Sequence, residues 1–150
     1  MKVLFDTNII IDIWKQDPQF FQDSFAAYDV CMLRKWETYL AVTAVPDIEY
    51  LLQARGILSK KQAAQAMDNL FSMFGIIDAQ QCDCLLAKES DMPDLEDGII
   101  AFSAYRNRMD AIVTRNIKDF KTSPIPALTP AQFVSAYKPE DVDYDFVELS

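Results

Sequence analysis

Residues 3–8 read VLFDTN, a short apolar run that ends directly in an aspartate. Three apolar residues in a row without polar alternation are typical of a strand buried on both faces, as in a parallel sheet. Three more short apolar runs follow at residues 40–42, 76–77 and 111–113, with helical patterns between them. This alternation predicts an α/β domain, a three-layer α/β/α sandwich with a mostly parallel central sheet.

Local signals place the helices between these strands. A serine–glutamine capping box at residues 59–62 and a threonine–glutamine box at residues 129–132 mark two helix starts. We expect Thr43 to cap the helix after the second strand. After Pro18, apolar residues recur at spacings of four and three, which predicts a helix with one core-facing side. These residues are Phe21, Phe25, Tyr28, Met32 and Trp36.

Composition favours one globular domain and excludes several mechanisms. The chain has 150 residues, 51% apolar and 25% charged, which suits a single domain, predicted over residues 1–138. No apolar run approaches the roughly 18 residues that a membrane span needs. The sequence contains no histidine. Ser-His-Asp triads, Cys-His pairs and His-ligated zinc are therefore excluded.

Cysteine and charge patterns suggest a compartment and a tail. The three cysteines have neither disulfide nor zinc spacing, and the first residues lack the shape of a signal peptide, so we expect a cytoplasmic protein. The formal charge of -9 argues against non-specific binding of nucleic acid over the whole surface. Residues 139–150 carry five acids without a nearby positive charge, which predicts an acidic C-terminal tail, disordered or docked.

Oxygen-bearing side chains follow the predicted strands, and sites in open α/β sheets form beyond the carboxyl ends of strands. Four segments bring such side chains to this edge: Asp6 and Asn8 after the first strand, Asp47 and Glu49 after the second, Asp94, Glu96 and Asp97 before a long helix, and Thr114, Asn116 and Asp119 after the fourth. Converging carboxylates raise one another's pKa, and a divalent cation removes that conflict. Oxygen donors favour Mg²⁺ or Mn²⁺, and such a site suits phosphodiester hydrolysis.

Three segments resemble the motifs of PIN domains, the nuclease domains of VapC-type toxins: VLFDTN at residues 3–8, DLEDGII at residues 94–100 and IVTRNIKDF at residues 112–120. They stand in the family's order and spacing, and the resemblance covers residues 1–135. The TRN of the last motif resembles a bacterial subgroup. The resemblance implies a Mg²⁺- or Mn²⁺-dependent ribonuclease with an RNA substrate, and it suggests an antitoxin protein and a homodimer as partners.

The resemblance also implies roles for single residues. Asp6 matches the first acid, Asp47 the second and Asp97 the third, with Asp94 as a helper one turn earlier. Many relatives have an aspartate where this chain has Asn116, and we expect Asp119 to compensate. The implied catalytic residues are Asp6, Asp47, Asp97, Asn116 and Asp119, and the implied metal ligands are Asp6, Asp94 and Asp97.

A local excess of cations marks the expected substrate side. Five cations and two acids lie between residues 106 and 121, in a chain that is acidic as a whole. Such cations can contact phosphates or complement helix ends. The residues expected to bind substrate are Arg115, Asn8, Thr114 and Lys118.

Some assignments have alternatives. Glu49 competes with Asp47, but two positions on a helix point roughly 200° apart, so only one can face the metal. Asp94 with Asp97, and Asn116 with Asp119, can instead be helix caps. An aspartate directly after a buried strand, as at residue 6, has little structural use. Asp12 is expected to be structural or solvent-facing.

Two other functions are compatible with the sequence. An aspartate-nucleophile phosphohydrolase would use the strand-ending Asp6, but Asn8 stands where such enzymes have a second aspartate. A PIN fold with weak or no catalysis could serve as an RNA- or protein-binding module. Asn116, and an aspartate rather than a glutamate at residue 47, keep this alternative open.

Overall fold

Five parallel strands form a central sheet with seven α-helices in residues 1–144, which are the residues described by the structure, a computed structural model. The strands are β1 (Lys2–Phe5), β2 (Glu37–Ala41), β3 (Gly75–Ile77), β4 (Ala111–Val113) and β5 (Ala127–Leu128). The helices are α1 (Thr7–Lys15), α2 (Phe21–Leu33), α3 (Val45–Gln53), α4 (Lys60–Met73), α5 (Gln81–Glu89), α6 (Leu95–Arg106) and α7 (Pro130–Tyr137).

The strand order, β3-β2-β1-β4-β5, determines the layers. The crossovers from β1 to β2 and from β2 to β3 run in one direction along the sheet, and the crossover from β3 to β4 runs in the other. Because parallel crossovers are right-handed, α1 to α4 cover one face and α5 with α6 cover the opposite face. Helix α7 packs against α2 on the first face. The three-layer α/β/α sandwich is therefore confirmed.

The first strand lies at the centre of the sheet and is buried as predicted. Val3 and Leu4 are fully buried, and Phe5 is 1% exposed. The Phe5 ring packs edge-on against Phe74, with 5.6 Å between centroids. Fully burying one such side chain stabilises the fold by about 1.5–3 kcal/mol, so this strand anchors the residues that follow it.

Both predicted capping boxes are present. The backbone N–H of Gln62 donates to Ser59 Oγ at 3.1 Å, and the N–H of Ser59 donates to Gln62 Oε1 at 2.9 Å. The corresponding bonds between Thr129 and Gln132 measure 3.2 and 3.0 Å. These boxes begin α4 and α7.

The start of α3 was wrongly predicted. Strand β2 ends at Ala41, and a 3₁₀ turn occupies residues 42–44 where the end of the strand and a capping threonine were expected. The N-cap of α3 is Ala44, which has no side-chain capping bond. Thr43 lies inside the 3₁₀ turn, where its hydroxyl is not at the capping position. Strand β5 was not predicted, because its two residues show too little pattern.

The expected core stripe of α2 is confirmed only in part, since Tyr28 and Trp36 pack against the core. Phe25 and Met32 are 43% and 41% exposed, and Trp36 lies beyond the end of the helix at Leu33. The buried side consists of smaller residues, namely Ser24, Ala26, Ala27, Val30 and Cys31. The helix carries apolar residues around most of its circumference, so spacing alone does not identify the packed side.

The described part of the acidic tail is in contact with the domain. Lys138 Nζ pairs with Asp143 Oδ1 at 2.9 Å, so that acid does have a nearby positive charge, contrary to expectation. The hydroxyl of Tyr144 donates to Asp29 Oδ2 at 2.7 Å. Residues 145–150, the rest of the predicted tail, lie outside the described residues. None of the helices in residues 1–144 has the length and apolar character needed to cross a bilayer.

Candidate active site

The candidate site lies where the direction of the sheet crossovers reverses, between β1 and β4. Ligands of open α/β sheets bind at this switch point, beyond the carboxyl ends of the strands. A cavity of about 530 Å³ opens there. Eight of the ten predicted site residues line it: Asp6, Asn8, Asp47, Asp94, Asp97, Arg115, Asn116 and Asp119.

Asp6 is the most buried acid of the site, with 7% of its surface exposed. Thr114 Oγ1 donates to its Oδ2 at 2.7 Å, and the backbone N–H of Thr7 donates to its Oδ1 at 2.8 Å. Asn8 Nδ2 is 3.4 Å from the same Oδ2. Burial raises the pKa of Asp6, although the hydrogen bonds from Thr114 and Thr7 and the charge of Arg115 oppose the rise. The carboxylate is therefore held in a fixed position at the end of β1.

Asp97 is surrounded by the other acids of the site. It lies in the first turn of α6, which packs closely on α5 at Gly98, where a Cβ would come 2.9 Å from Cβ of Ala87. Burial, followed by the negative charges of Asp6, Asp94, Asp119 and Glu96, raises the pKa of Asp97 to about 7. Carboxylates from separate segments thus meet without enough positive charge between them.

Asp94 both caps helix α6 and lines the cavity. Its Oδ1 accepts the backbone N–H of Asp97 at 2.9 Å, which makes it the N-cap of α6. The same residue lines the cavity and contributes to the raised pKa of Asp97. The alternative capping role of Asn116 is not observed, because its side chain makes no capping bond to the 3₁₀ turn at residues 117–120.

The amide of Asn116 bridges two acids. Its Nδ2 donates to Asp119 Oδ2 at 2.6 Å and to Asp97 Oδ2 at 3.2 Å. A neutral donor group therefore sits between two carboxylates, at a place where a cation would also be stabilised. The backbone N–H of Asn116 donates to Thr114 Oγ1 at 3.0 Å, which links this bridge to Asp6 through the threonine hydroxyl.

Helix α3 separates the two competing acids as helix geometry predicts. Asp47 lines the acidic cavity, whereas Glu49 lines a neighbouring cavity of about 400 Å³. Glu96, which was not among the chosen site residues, lines the acidic cavity with Asp47. Burial, a hydrogen bond with Asp47 and that residue's charge raise the pKa of Glu96. Glu96 lies between Asp94 and Asp97 in the sequence, and this position was the signal that could have identified it.

Arg115 forms an intramolecular contact that the sequence did not reveal. Its Nε donates to Asp12 Oδ2 at 2.9 Å and its Nη2 to Oδ1 at 3.1 Å. Its guanidinium lies over the Phe20 ring, 4.0 Å from the centroid. Asp12 is 2% exposed and also accepts a hydrogen bond from Ser24 Oγ at 3.0 Å. Asp12 is therefore structural, and not solvent-facing.

Two residues expected to bind substrate do not line the cavity. Thr114 is fully buried, and its hydroxyl is used to hold Asp6. Lys118 is exposed within the 3₁₀ turn. A buried hydroxyl cannot reach a substrate, so the contribution of Thr114 is to orient the aspartate.

The donor chemistry of the site fits a hard divalent cation. Apart from the Arg115 guanidinium, the polar groups at the cavity are carboxylate, amide and hydroxyl oxygens, which Mg²⁺ and Mn²⁺ prefer. The pKa of Asp97 is raised by burial and by the negative charges of its neighbours, and a bound cation would compensate those charges. Across residues 1–144, however, no three acidic or cysteine side chains lie close enough together to hold a metal ion as they stand. Metal binding would therefore require side-chain adjustment.

Comparison with known proteins agrees with this architecture. A family model described as PIN domain matches residues 2–118. FitAB bound to an IR36 DNA fragment has a TM-score of 0.66 at 20% identity, over 85% of this chain and 94% of that one. A toxin-antitoxin complex from Klebsiella pneumoniae has a TM-score of 0.61 at 23% identity, over 85% and 97%.

VapBC2 from Rickettsia felis, bound to a DNA fragment from its promoter, has a TM-score of 0.62 at 19% identity, over 86% of this chain and 98% of that one. At such identities these likenesses show the fold. No curated protein sequence matches the chain.

Proposed function

The chain belongs to the PIN domain family, and from this premise we propose that it is a divalent-metal-dependent endoribonuclease, the toxin of a toxin–antitoxin pair. The observation that carries the proposal is the convergence of acids from β1, α3, α6 and the turn after β4 on one cavity. Burial, together with the negative charges of the neighbouring acids, raises the pKa of Asp97 to about 7. Acids held this close are typical of a site that binds a cation.

The chemistry of the reaction follows from the donor set. A bound Mg²⁺ or Mn²⁺ would supply an activated water and charge stabilisation on the phosphate. Asp6 and Asp97, with Asp94 nearby, would hold the ion. Thr114 keeps the Asp6 carboxylate oriented by its hydrogen bond of 2.7 Å. Asp47 and Asp119 complete the negative rim and would position water by accepting hydrogen bonds from it.

Arg115 and Asn8 are proposed to position the phosphate. Asp12 takes two of the five N–H donors of the Arg115 guanidinium, and 34% of the side chain is exposed. Its remaining donors can contact a phosphate at the rim of the cavity. Lys118, which is exposed one turn away, would add long-range attraction for RNA rather than a direct contact.

The partners and location are part of the same proposal. FitAB, VapBC2 and the Klebsiella complex support an antitoxin protein as partner of this chain. A homodimer is proposed from the same family relationship. The three cysteines are free thiols, which fits the reducing cytoplasm.

A binding module without strong catalysis is the second candidate. It is favoured by the neutral Asn116 bridge, which gives Asp97 and Asp119 a hydrogen-bond donor without a metal. A phosphohydrolase with Asp6 as nucleophile is less compatible with the structure. That carboxylate is 7% exposed and is engaged by three hydrogen-bond donors.

Cleavage of single-stranded RNA in Mg²⁺ or Mn²⁺ tests the proposal. We expect Asp6→Asn and Asp97→Asn each to lower the rate about 100-fold or more, since several kcal/mol of charge stabilisation depend on the ion. Asp68→Asn on the exposed side of α4 makes the same charge change outside the cavity and should leave the rate unchanged. Equal cleavage in the presence of a chelator would contradict the metal-dependent mechanism, and RNA binding without cleavage would favour the second candidate.

A further inference from the structure

A second cavity adjoins the acidic one along helix α3. It measures about 400 Å³ and is lined by Pro46, Glu49, Tyr50, Gln53 and Ala54. Tyr50 lines both cavities. Its side chain is 72% exposed, although a large aromatic ring gains free energy from burial. An aromatic face is thus presented to solvent at the boundary of the acidic cavity.

The lining of the second cavity suits a base better than a phosphate. The Glu49 carboxylate repels phosphate but accepts hydrogen bonds from the N–H groups on base edges. Gln53 offers an amide that both donates and accepts, and Pro46 and Ala54 add apolar contact. The second cavity is much larger than the space of one water molecule, so it can admit a flat ring.

Residues of helix α3 line both the second cavity and the acidic one. Successive helix residues are rotated by about 100°, so Asp47 faces the acidic cavity while Glu49 faces the second one. Tyr50 lies between them. A nucleic acid strand with a phosphate at the acids would therefore have a neighbouring base at the tyrosine ring.

We propose that the second cavity is a nucleobase subsite in which Tyr50 stacks on an unpaired base next to the phosphate at the acidic cavity. Stacking on an aromatic side chain requires a free base face, which single-stranded RNA offers and a duplex does not. The inference deepens the proposed function by adding a site for the base that neighbours the phosphate at the acids. It rests on that function for the presence of a phosphate at the acids.

The test measures binding apart from catalysis. A short RNA carrying one 2-aminopurine, moved along the strand in a set of oligonucleotides, is titrated with protein in Ca²⁺, single-stranded and annealed to its complement. We expect quenching at one position of the single strand only. Loss of one base stack corresponds to about 5- to 150-fold weaker binding, which we expect for Tyr50→Ala.

Matched variants separate stacking from general surface effects. Tyr50→Trp keeps an aromatic face and should bind at least as tightly as the parent chain. Tyr105→Ala removes a tyrosine that is 59% exposed on α6, outside both cavities, and should change nothing. In cleavage assays Tyr50→Ala should raise KM more than it lowers kcat. Because Tyr50 is so exposed, thermal melting should show that the variant stays folded.

The outcomes distinguish this inference from the proposed function. If the protein binds RNA and quenches the 2-aminopurine in a Tyr50-dependent way but never cleaves the RNA, the nuclease proposal fails and the subsite stands. If RNA is cleaved while Tyr50→Ala binds like the parent chain, the subsite is wrong and the nuclease stands. Equal binding of the duplex, or a Tyr50→Ala effect confined to a protein partner, would also overturn the subsite.

Discussion

Replacing Asn116 by aspartate separates the electrostatics of the site from its packing. The side chains have nearly the same shape, but the variant loses the NH₂ group that donates to Asp119 at 2.6 Å and to Asp97 at 3.2 Å. It also brings another negative charge into a cluster where the pKa of Asp97 is already raised to about 7. We expect Asn116→Asp to destabilise the metal-free protein and to strengthen its response to Mg²⁺.

The magnitude follows from the two lost hydrogen bonds. Each bond to a charged group contributes about 1.5–3 kcal/mol, and the lower value applies because the groups are only partly buried. Repulsion between the new carboxylate and its neighbours adds about 1 kcal/mol at 4 Å in a water-like environment. The free energy of unfolding should fall by about 3–4 kcal/mol, which lowers Tm by roughly 6–16 °C for a chain of this size.

Thermal melting with a chelator and with saturating Mg²⁺ measures both effects. Mg²⁺ should raise the Tm of Asn116→Asp by more than it raises the Tm of the parent chain, because the ion then replaces the lost NH₂ group. Asn107→Asp is the matched control. Asn107 Nδ2 donates to Asp78 Oδ1 at 3.2 Å and to the Ser103 carbonyl at 2.8 Å, at the opposite end of α6 from Asp97.

The control variant should lose stability without gaining any response to Mg²⁺. Two results would refute the reasoning about the bridge. One is an unchanged Tm of Asn116→Asp in chelator. The other is a Mg²⁺ response of this variant that is no larger than that of Asn107→Asp.

Two further predictions concern charge and pH. Burial alone would raise the pKa of Asp83, but the hydrogen bonds and charge of Arg106 outweigh it and hold that pKa below its usual value. Arg106→Ala should therefore lower the free energy of unfolding at neutral pH, because it leaves the buried Asp83 carboxylate without its charge partner. That loss should shrink as pH falls through the lowered pKa, and a constant loss in urea melts down to pH 2 would contradict it. The raised pKa of Asp97 acts in the opposite sense. Its contribution to the free energy of unfolding is fully present below the pKa of the unfolded chain, near 4, and is lost as pH rises through about 7. Metal-free protein should weaken over this range in urea melts, Asp97→Asn should flatten the profile, and a flat parent profile would count against the strain at Asp97.

Local sequence patterns indicated four of the five strands and the edge at which the site lies. An apolar run of three residues such as Val3 to Phe5 is typical of a buried strand, and a parallel sheet brings the ends of its strands to one edge. Helix rotation likewise indicated that only one of Asp47 and Glu49 would face the acids. Capping boxes were readable because their bonds join residues three positions apart.

Tertiary contacts explain what the sequence did not show. The pairing of Arg115 with Asp12 joins residues more than a hundred positions apart, so no local pattern encodes it. The exposed side of α2 could not be identified because both of its sides carry apolar residues, and the larger ones, Phe25 and Met32, turned out to be exposed. The Asn116 amide could be recognised as a departure from the family, but its position between two carboxylates depends on the folded chain.

The most direct test of the central claim is the position of Mn²⁺ in crystals of the full chain grown with that ion. Anomalous scattering should place a peak in the cavity bounded by Asp6 and Asp97, and crystals of Asp97→Asn should lose it. A Mn²⁺-saturated crystal of the parent chain with no peak in this cavity would contradict the account, since the converging acids would then serve some purpose other than holding a cation.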